Sequence, residues 1–543
     1  MDMKNWLKTY GANVPAEINA DRYPSIVALF EEAAETYADN IAYECFGKSM
    51  TYAEVEAKSR AVAAYLQVKM GVERGDRIAL MMPNTFAFPI AMLGILRAGA
   101  VQVNVNPMYT ARELEHQLND AGAKTILIFG GSTPVLADII GKTVIDTVVS
   151  IDLGDGTDLP VPSPVVDDRL ADVIAFADIL THGAELQYQQ VDLAGDDNIF
   201  FQYTGGTTGP SKGAVLSHRN VVANLEQYKA NWPEASRPNV EAMVCALPLY
   251  HIFGLTISLA YVSLGGRILL IPNPRDMDAV IDAIKDAGIT MFPAVNTLFA
   301  GVAAHPRAAE IDFSKHVFSL GGGSAVLETT SNTWKALAGR HITEGYGMSE
   351  TAPLLTGVPI GGAEFTGSCG LPVPSTDIIL LGEDNTEVPT GERGEICAKG
   401  PQVMAGYWNR PDANAEVFTK EGYFRTGDIG VFDEAGFLRI VDRKKDMIIV
   451  SGFNVFPNEI EAVVAACDGI IECACVGVAD EKTGEGVSLF VVKAPEAELN
   501  DESITEYCRQ NLTAYKVPCK ITYLAELPKS NVGKILRREL RRM

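Results

Sequence analysis

The residues best suited to chemistry lie at 203–213, YTGGTTGPSKG. Four glycines, three threonines, a serine and a lysine fall within these eleven residues. Glycines let backbone approach a ligand closely and turn N–H groups towards it. The hydroxyls add donors and Lys212 adds a cation. A polyphosphate needs all three, whereas a flexible surface loop needs only the glycines. The common NTPase P-loop has Gly-Lys followed by Ser or Thr at the start of a helix. Here Lys212 follows Ser211, precedes Gly213 and leads into an apolar run at 214–216. That order disfavours a kinase or GTPase.

The flanking residues say how the loop is held. The apolar run 199–203 reads as a buried strand and 214–216 as a second one. Ser217 is a helix N-cap for residues running through Asn224 and Tyr228. The loop therefore joins two strands. Upstream, Ile26, Leu29, Phe30, Ala33, Ala34 and Tyr37 share one helical face. Thr51 and Glu54 form a capping box that opens a helix through Leu66. Strands at 77–82, 101–105 and 125–129 then alternate with helices at 86–96 and 111–118. Downstream, strands are expected at 243–247, 267–271 and 290–293, and a helix at 278–286. Such alternation predicts a large multi-sheet α/β domain with mostly parallel strands. Residues 154–168, rich in Pro, Asp and Gly, read as a loop. The tail has a different texture, with helices at 459–466 and 504–512 and strands at 474–478 and 489–493, which predicts a small α+β domain. The change falls at 442–446, so the expected domains are 1–443 and 444–543.

The 543 residues suffice for two domains and a large core. A net charge of −24 speaks against a nucleic-acid partner, so an anionic ligand must be met by local cations. Nine cysteines are scattered without a CxxC pair, which argues against a zinc site or disulfide framework and for reduced, cytoplasmic thiols. Cys473 and Cys475, two apart on an expected strand, should point the same way. The N-terminal stretch lacks the apolar segment of a signal peptide, and no apolar run reaches transmembrane length.

Six further motifs follow in order: YHIFG (250–254), GGGSA (321–325), EGYGMSE (344–350), RTGD (425–428), DRKKD (442–446) and PKSNVGK (528–534). With the glycine loop they resemble the adenylate-forming superfamily of acyl-CoA synthetases, luciferases and peptide-synthetase adenylation domains. The resemblance covers essentially the whole chain. Within it, 104–123, 421–445 and 444–461 are most similar to the bacterial long-chain fatty-acyl branch.

The resemblance implies a two-step reaction. A fatty-acid carboxylate attacks the α-phosphate of ATP, giving acyl-AMP and pyrophosphate, and the thiol of CoA then displaces AMP. It implies that Thr204, Gly205, Gly206, Thr207, Thr208, Gly209 and Lys212 hold the β- and γ-phosphates. Thr204 and Glu350 would bind Mg²⁺. Gly322, Gly323, Ser324, Ala325, Glu344, Gly345, Tyr346 and Ser349 would contact the nucleotide, and Asp428 and Arg443 its ribose and phosphate. Lys534 would reach the α-phosphate, and His251 would lie near the reacting carboxylate. Lys445 would be the hinge of a mobile small domain, with Ser451, Gly452 and Phe453 on its CoA side.

Each role has a plain structural rival. Glu350 suits a surface carboxylate or helix cap, and Tyr346 a core aromatic. Asp428 and Arg443 suit a surface ion pair, and His251 a satisfied core histidine. The apolar run 255–264 suits either an acyl tunnel or a buried helix. Arg537, Arg538, Arg541 and Arg542 read as a solvated basic tail. Medium-chain or aryl acids are the alternative substrates, and a non-catalytic nucleotide-binding module the alternative class. A non-catalytic module would have no need of Lys534, Glu350 and Asp428 together. A homodimer and peripheral contact with the inner membrane face are implied by the family alone.

Overall fold

A computed structural model describes residues 5–204, 211–361, 364–451, 453–480, 483–495, 497–530 and 533–543. The chain folds as two compact units. One holds Leu7–Thr376 and Gly400–Glu416, and the other holds Asp377–Lys399 and Val417–Met543 with the N-terminal Trp6.

The larger unit is α/β, with two extended sheets among the described residues. In one, Val101–Val105, Arg77–Met81, Thr125–Phe129 and Thr147–Ile151 run parallel, with Asn198–Thr204 beside the first of them. Mostly apolar strands are what a sheet covered on both faces requires; Val101–Val105 is the exception, its buried Gln102 and Asn104 being hydrogen-bonded to each other and, from Asn104, to Gln202. In the other, Ala242–Cys245, Arg267–Leu270, Met291–Ala294, Phe318–Gly321 and Thr343–Gly347 form the parallel centre. Helix starts follow the caps read from sequence. Thr51 accepts from the Glu54 N–H while the Glu54 carboxylate accepts from the Thr51 N–H, opening Tyr52–Val68. Ser217 accepts from the Asn220 N–H at the head of His218–Asn231.

Among the described residues the smaller unit has two sheets. Asp377–Leu381, Gly394–Lys399, Phe424–Phe432 and Leu438–Arg443 form an antiparallel one. The second contains Ile448–Val450, Phe453–Val455, Ile470–Asp480 and Gly484–Lys493, with Lys520–Tyr523 parallel to the last. Helices Pro457–Ala465 and Asp501–Asn511 cover it, and Ile460, Val464, Ile504 and Cys508 join Leu489 and Val491 in its core. Cys473 and Cys475 are both buried in that core, as their spacing predicts. All nine cysteines are free thiols.

The basic tail departs from its sequence reading. Arg538 is exposed, but the Arg537 guanidinium is mostly buried and donates to Glu461 at 2.7 and 2.8 Å. Arg541 donates to the buried Asp446 at 2.7 Å. A run of arginines looks solvated when its carboxylate partners lie far upstream. Among the described residues, no helix is long and apolar enough to cross a membrane.

Candidate active site

The strands Asn198–Thr204 and Lys212–Ser217 pair antiparallel, with Thr204 opposite Lys212. The glycine loop thus joins two strands, as its flanks predict, and the structure adds that they are antiparallel neighbours. Gly205, Gly206, Thr207, Thr208 and Gly209 lie outside the described residues. The Tyr203 hydroxyl donates to Asp120 at 2.7 Å. A Cβ on Gly213 would stand 3.0 Å from the Tyr203 ring, so any larger residue there would press on that ring.

Glu350 begins to look functional from its surroundings. It is buried and lies in the short turn Ser349–Thr351, which packs on the strand ending at Thr204. Its Oε1 accepts from the Tyr407 hydroxyl at 2.7 Å, and the Lys212 ammonium lies 5.2 Å from the centre of the same ring. Tyr407 is delivered by backbone pairing: Gly406–Tyr407 adds to Lys212–Ser217, and Trp408 N–H donates to Gly213 O at 2.8 Å. A buried carboxylate, a hydroxyl and a lysine therefore meet at the foot of a glycine loop. Among the described residues no group of three or more His, Cys, Asp or Glu side chains can cage a metal. One carboxylate and one hydroxyl fit magnesium, a hard ion that keeps waters and takes phosphate oxygens.

EGYGMSE forms the end of Thr343–Gly347 and the turn after it. Tyr346 is buried, opposite Thr356. Glu344 O accepts from Val358 N–H at 2.9 Å, and burial pushes its carboxyl up to about 7. Gly322 N–H donates to Ala294 O, and a Cβ there would meet the Phe253 ring at 3.0 Å. Gly323, Ser324 and Ala325 are exposed just beyond. At Gly347 a Cβ would fall 1.8 Å from Pro353 O. Gly347→Ala is therefore expected to cost about 3 kcal/mol or more of stability, read as a large drop in melting temperature; an unchanged melting curve would contradict this packing.

His251 caps a helix, its Nδ1 accepting from the Phe253 N–H at 3.3 Å. The run it precedes is Ile252–Val262, buried along almost its whole length, so the buried-helix reading of 255–264 accounts for its composition. The segment before it is held by Asn84. That side chain donates to Cys245 O and Leu247 O and accepts from Leu249 N–H, at 3.0, 2.8 and 2.8 Å.

In the smaller unit, Asp428 and Arg443 face each other across paired strands. Arg443 Nε is 3.3 Å from Asp428 Oδ1, and Asp428 is buried. They border a cavity of about 250 Å³ together with Thr426, Gly427, Lys444 and Lys445. Lys534 lies within electrostatic reach. Burial, then the positive charge of Arg443, lowers its ammonium to about 7, against an opposing pull from Asp428. One buried carboxylate amid several cations suits a ribose diol beside a phosphate. Its lowered pKa also makes Lys534 testable: at pH 7.5 its neutral fraction exceeds that of an ordinary lysine roughly a thousandfold. Amine acylation mapped by mass spectrometry should find Lys534 modified before the surface lysines, with MgATP protecting it. Equal labelling of Lys534 and surface lysines would contradict the environment described.

Comparison with known proteins fits these arrangements. Residues 30–408 match the AMP-binding enzyme family, and 459–534 its C-terminal domain. The chain belongs to the AMP-binding enzyme family. It is 50% identical over 550 aligned residues to the long-chain-fatty-acid–CoA ligase of Salmonella typhimurium, covering 99% of this chain and 98% of that one. The corresponding ligase of Escherichia coli O6:H1 is 49% identical over the same shares. Among solved structures, ATP-bound MatB from Rhodopseudomonas palustris superposes with a TM-score of 0.81 at 29% identity, covering 95% of this chain and 98% of that chain.

As an AMP-binding enzyme the chain carries the remaining motifs in ordinary backbone settings. Lys445 follows Lys444, whose N–H donates to Gly427 O at 2.9 Å. Ser451 has a left-handed φ of 51° at the turn between Ile448–Val450 and Phe453–Val455. Gly452 lies outside the described residues. Phe453 is exposed and stacks on Tyr515 at 4.8 Å. Tyr407, Asn84 and Tyr515 were not singled out from sequence. Only Tyr407 carried a signal there, in the aromatic pair Tyr407–Trp408.

Proposed function

We infer that this AMP-binding enzyme is an ATP-dependent long-chain fatty-acid–CoA ligase. The observation that carries the substrate class is the 50% identity, across 99% of the chain, to a ligase of that name. In the first step a carboxylate oxygen of the fatty acid bonds to the α-phosphorus of ATP. The bond to the β-phosphate breaks and pyrophosphate leaves. In the second, the CoA sulfur bonds to the acyl carbon, the acyl C–O bond breaks and AMP leaves.

The reading gives each group one task. Lys212 and the glycine loop hold the β- and γ-phosphates, and Thr204 and Glu350 would hold Mg²⁺, which would neutralise phosphate charge. Tyr407 fixes the Glu350 carboxylate. Asp428 accepts from the ribose hydroxyls, and Arg443 stands beside it as a cation. Lys534, when protonated, donates to the α-phosphate as its charge rises. His251 lies at the carboxylate end of the acyl site. Residues 444–543 turn about Lys445 between the steps, exchanging Lys534 for the Ser451–Phe453 face.

A chain-length series from acetate to oleate, with aryl acids, tests the substrate class through AMP release and thioester formation. The highest kcat/KM is expected for acids of about C14 to C18. A maximum at C6–C10 or with an aryl acid would overturn the long-chain assignment. Thioester formation without pyrophosphate would overturn the reaction.

A further inference from the structure

The buried arginine of the tail has a use beyond holding the fold together. Lys534 sits in a short hairpin in which Ser530 N–H donates to Lys534 O at 2.7 Å and Lys534 N–H donates to Ser530 Oγ at 3.1 Å. Two ion pairs bracket that hairpin. Before it, Lys529 Nζ meets Glu472 at 2.5 Å. After it, Arg537 opens the last short helix, Arg537–Leu540, whose Leu540 is buried with Val476 and Phe490.

Arg537 grips two places at once. Its Nη2 donates to both oxygens of Glu461 and to Asn458 Oδ1 at 3.0 Å, all on the helix Pro457–Ala465. Its Nη1 lies 3.9 Å from the buried Asp446, which Arg541 also engages. Asp446 N–H in turn donates to Arg443 O at 2.9 Å. The same helix is fastened to the strand that carries Arg443. The buried Asp442 accepts from Asn458 N–H at 2.8 Å and from Arg443 N–H at 2.7 Å. A continuous polar path therefore runs from the residues after Lys534, through Arg537, to the backbone of Arg443. A guanidinium fork suits this task because one planar group fixes several acceptors in direction as well as distance.

We propose that Arg537 is a positioning residue for adenylate formation: its grip on Glu461, Asn458 and Asp446 holds Lys534 against the Asp428–Arg443 pair. The proposal rests on the assignment of Lys534 to the first step. Asp442 and Asn458 lie on opposite sides of Lys445, as do Arg443 and Asp446, so both of these contacts would break on turning about Lys445. The second step needs neither these contacts nor Lys534.

The test separates the two half-reactions. Arg537→Gln is expected to lower acid-dependent ATP–pyrophosphate exchange about a hundredfold, the scale of a misplacement of about 1 Å. The rate from supplied acyl-AMP and CoA should stay within about twofold, since it does not use Lys534. Arg537→Gln leaves the mostly buried Glu461 without its cation, held by the Cys475 N–H, a loss large enough to unfold the protein. Arg537→Gln with Glu461→Gln leaves a neutral pair of similar volume, and the split is scored on whichever variant melts like the parent. Lys534→Ala is assayed in parallel. If Lys534→Ala exchanges normally, the assignment of Lys534 fails and this inference falls with it. If Lys534→Ala is inactive in exchange while the folded Arg537 variant exchanges normally, or loses both half-reactions equally, the positioning role alone is overturned.

Discussion

Replacing Lys534 by alanine is expected to remove acid-dependent pyrophosphate release while leaving the conversion of supplied acyl-AMP to acyl-CoA. The loss should be about a hundredfold to a thousandfold, the scale of removing one preorganised donor from a transition state that gains charge. The environment explains why so much rests on one side chain. Burial and the neighbouring Arg443 hold the ammonium down at about 7. At neutral pH it is therefore poised between its two forms, and raising the pH through about 7 discharges it. A bound triphosphate stabilises the charged form and moves that transition upward. Pyrophosphate exchange should accordingly fall on the alkaline side at a pH above 7, with the midpoint rising as MgATP saturates. Lys534→Arg, which does not titrate in this range, should lose that limb even where its rate is low. An unchanged alkaline limb in Lys534→Arg would assign the titration to another group. Normal exchange in Lys534→Ala would remove this lysine from the first step.

The second large effect is expected at Glu350. Glu350→Gln keeps an oxygen to accept from the Tyr407 hydroxyl but removes the charge. If this carboxylate holds magnesium, kcat/KM for MgATP should fall about a hundredfold, and the magnesium concentration giving half-maximal rate should rise. Tyr407→Phe leaves the carboxylate charged and removes only the hydroxyl that orients it. Its loss should be about tenfold or less, the scale of one hydrogen bond to a charged group. A rate that depends on magnesium in the same way for Glu350→Gln and the parent would place the ion elsewhere. The comparison of the two variants separates charge from orientation, because one removes the charge and keeps the hydrogen bond while the other does the reverse.

The parts legible in sequence were those fixed by near neighbours. Thr125–Phe129 falls where its apolar run does, because a buried parallel strand needs apolar side chains on both faces. The capping box at Thr51 and the N-cap at Ser217 are equally local, each using a partner three residues on. That the glycine loop joins two strands was legible for the same reason. What sequence hid is contact across long stretches of chain. Tyr407 reaches Glu350 over 57 residues, and Asn84 holds the carbonyl of Leu247 from 163 residues away. Arg537 looked solvated because Glu461 lies 76 residues before it. No periodicity reports such partners. Residues 377–399 also pack with the C-terminal part of the chain, a grouping set by strand pairing with Phe424–Phe432 and invisible in a change of sequence texture.

The adenylate route itself is tested most directly by a single turnover with a fatty acid labelled with oxygen-18 in its carboxylate. The attacking oxygen becomes the bridge of acyl-AMP and stays on phosphorus when sulfur displaces AMP. Mass spectrometry should therefore find one oxygen-18 in the AMP, none in the pyrophosphate, and the other label in the thioester carbonyl. Unlabelled AMP, or release of ADP in its place, would contradict the account.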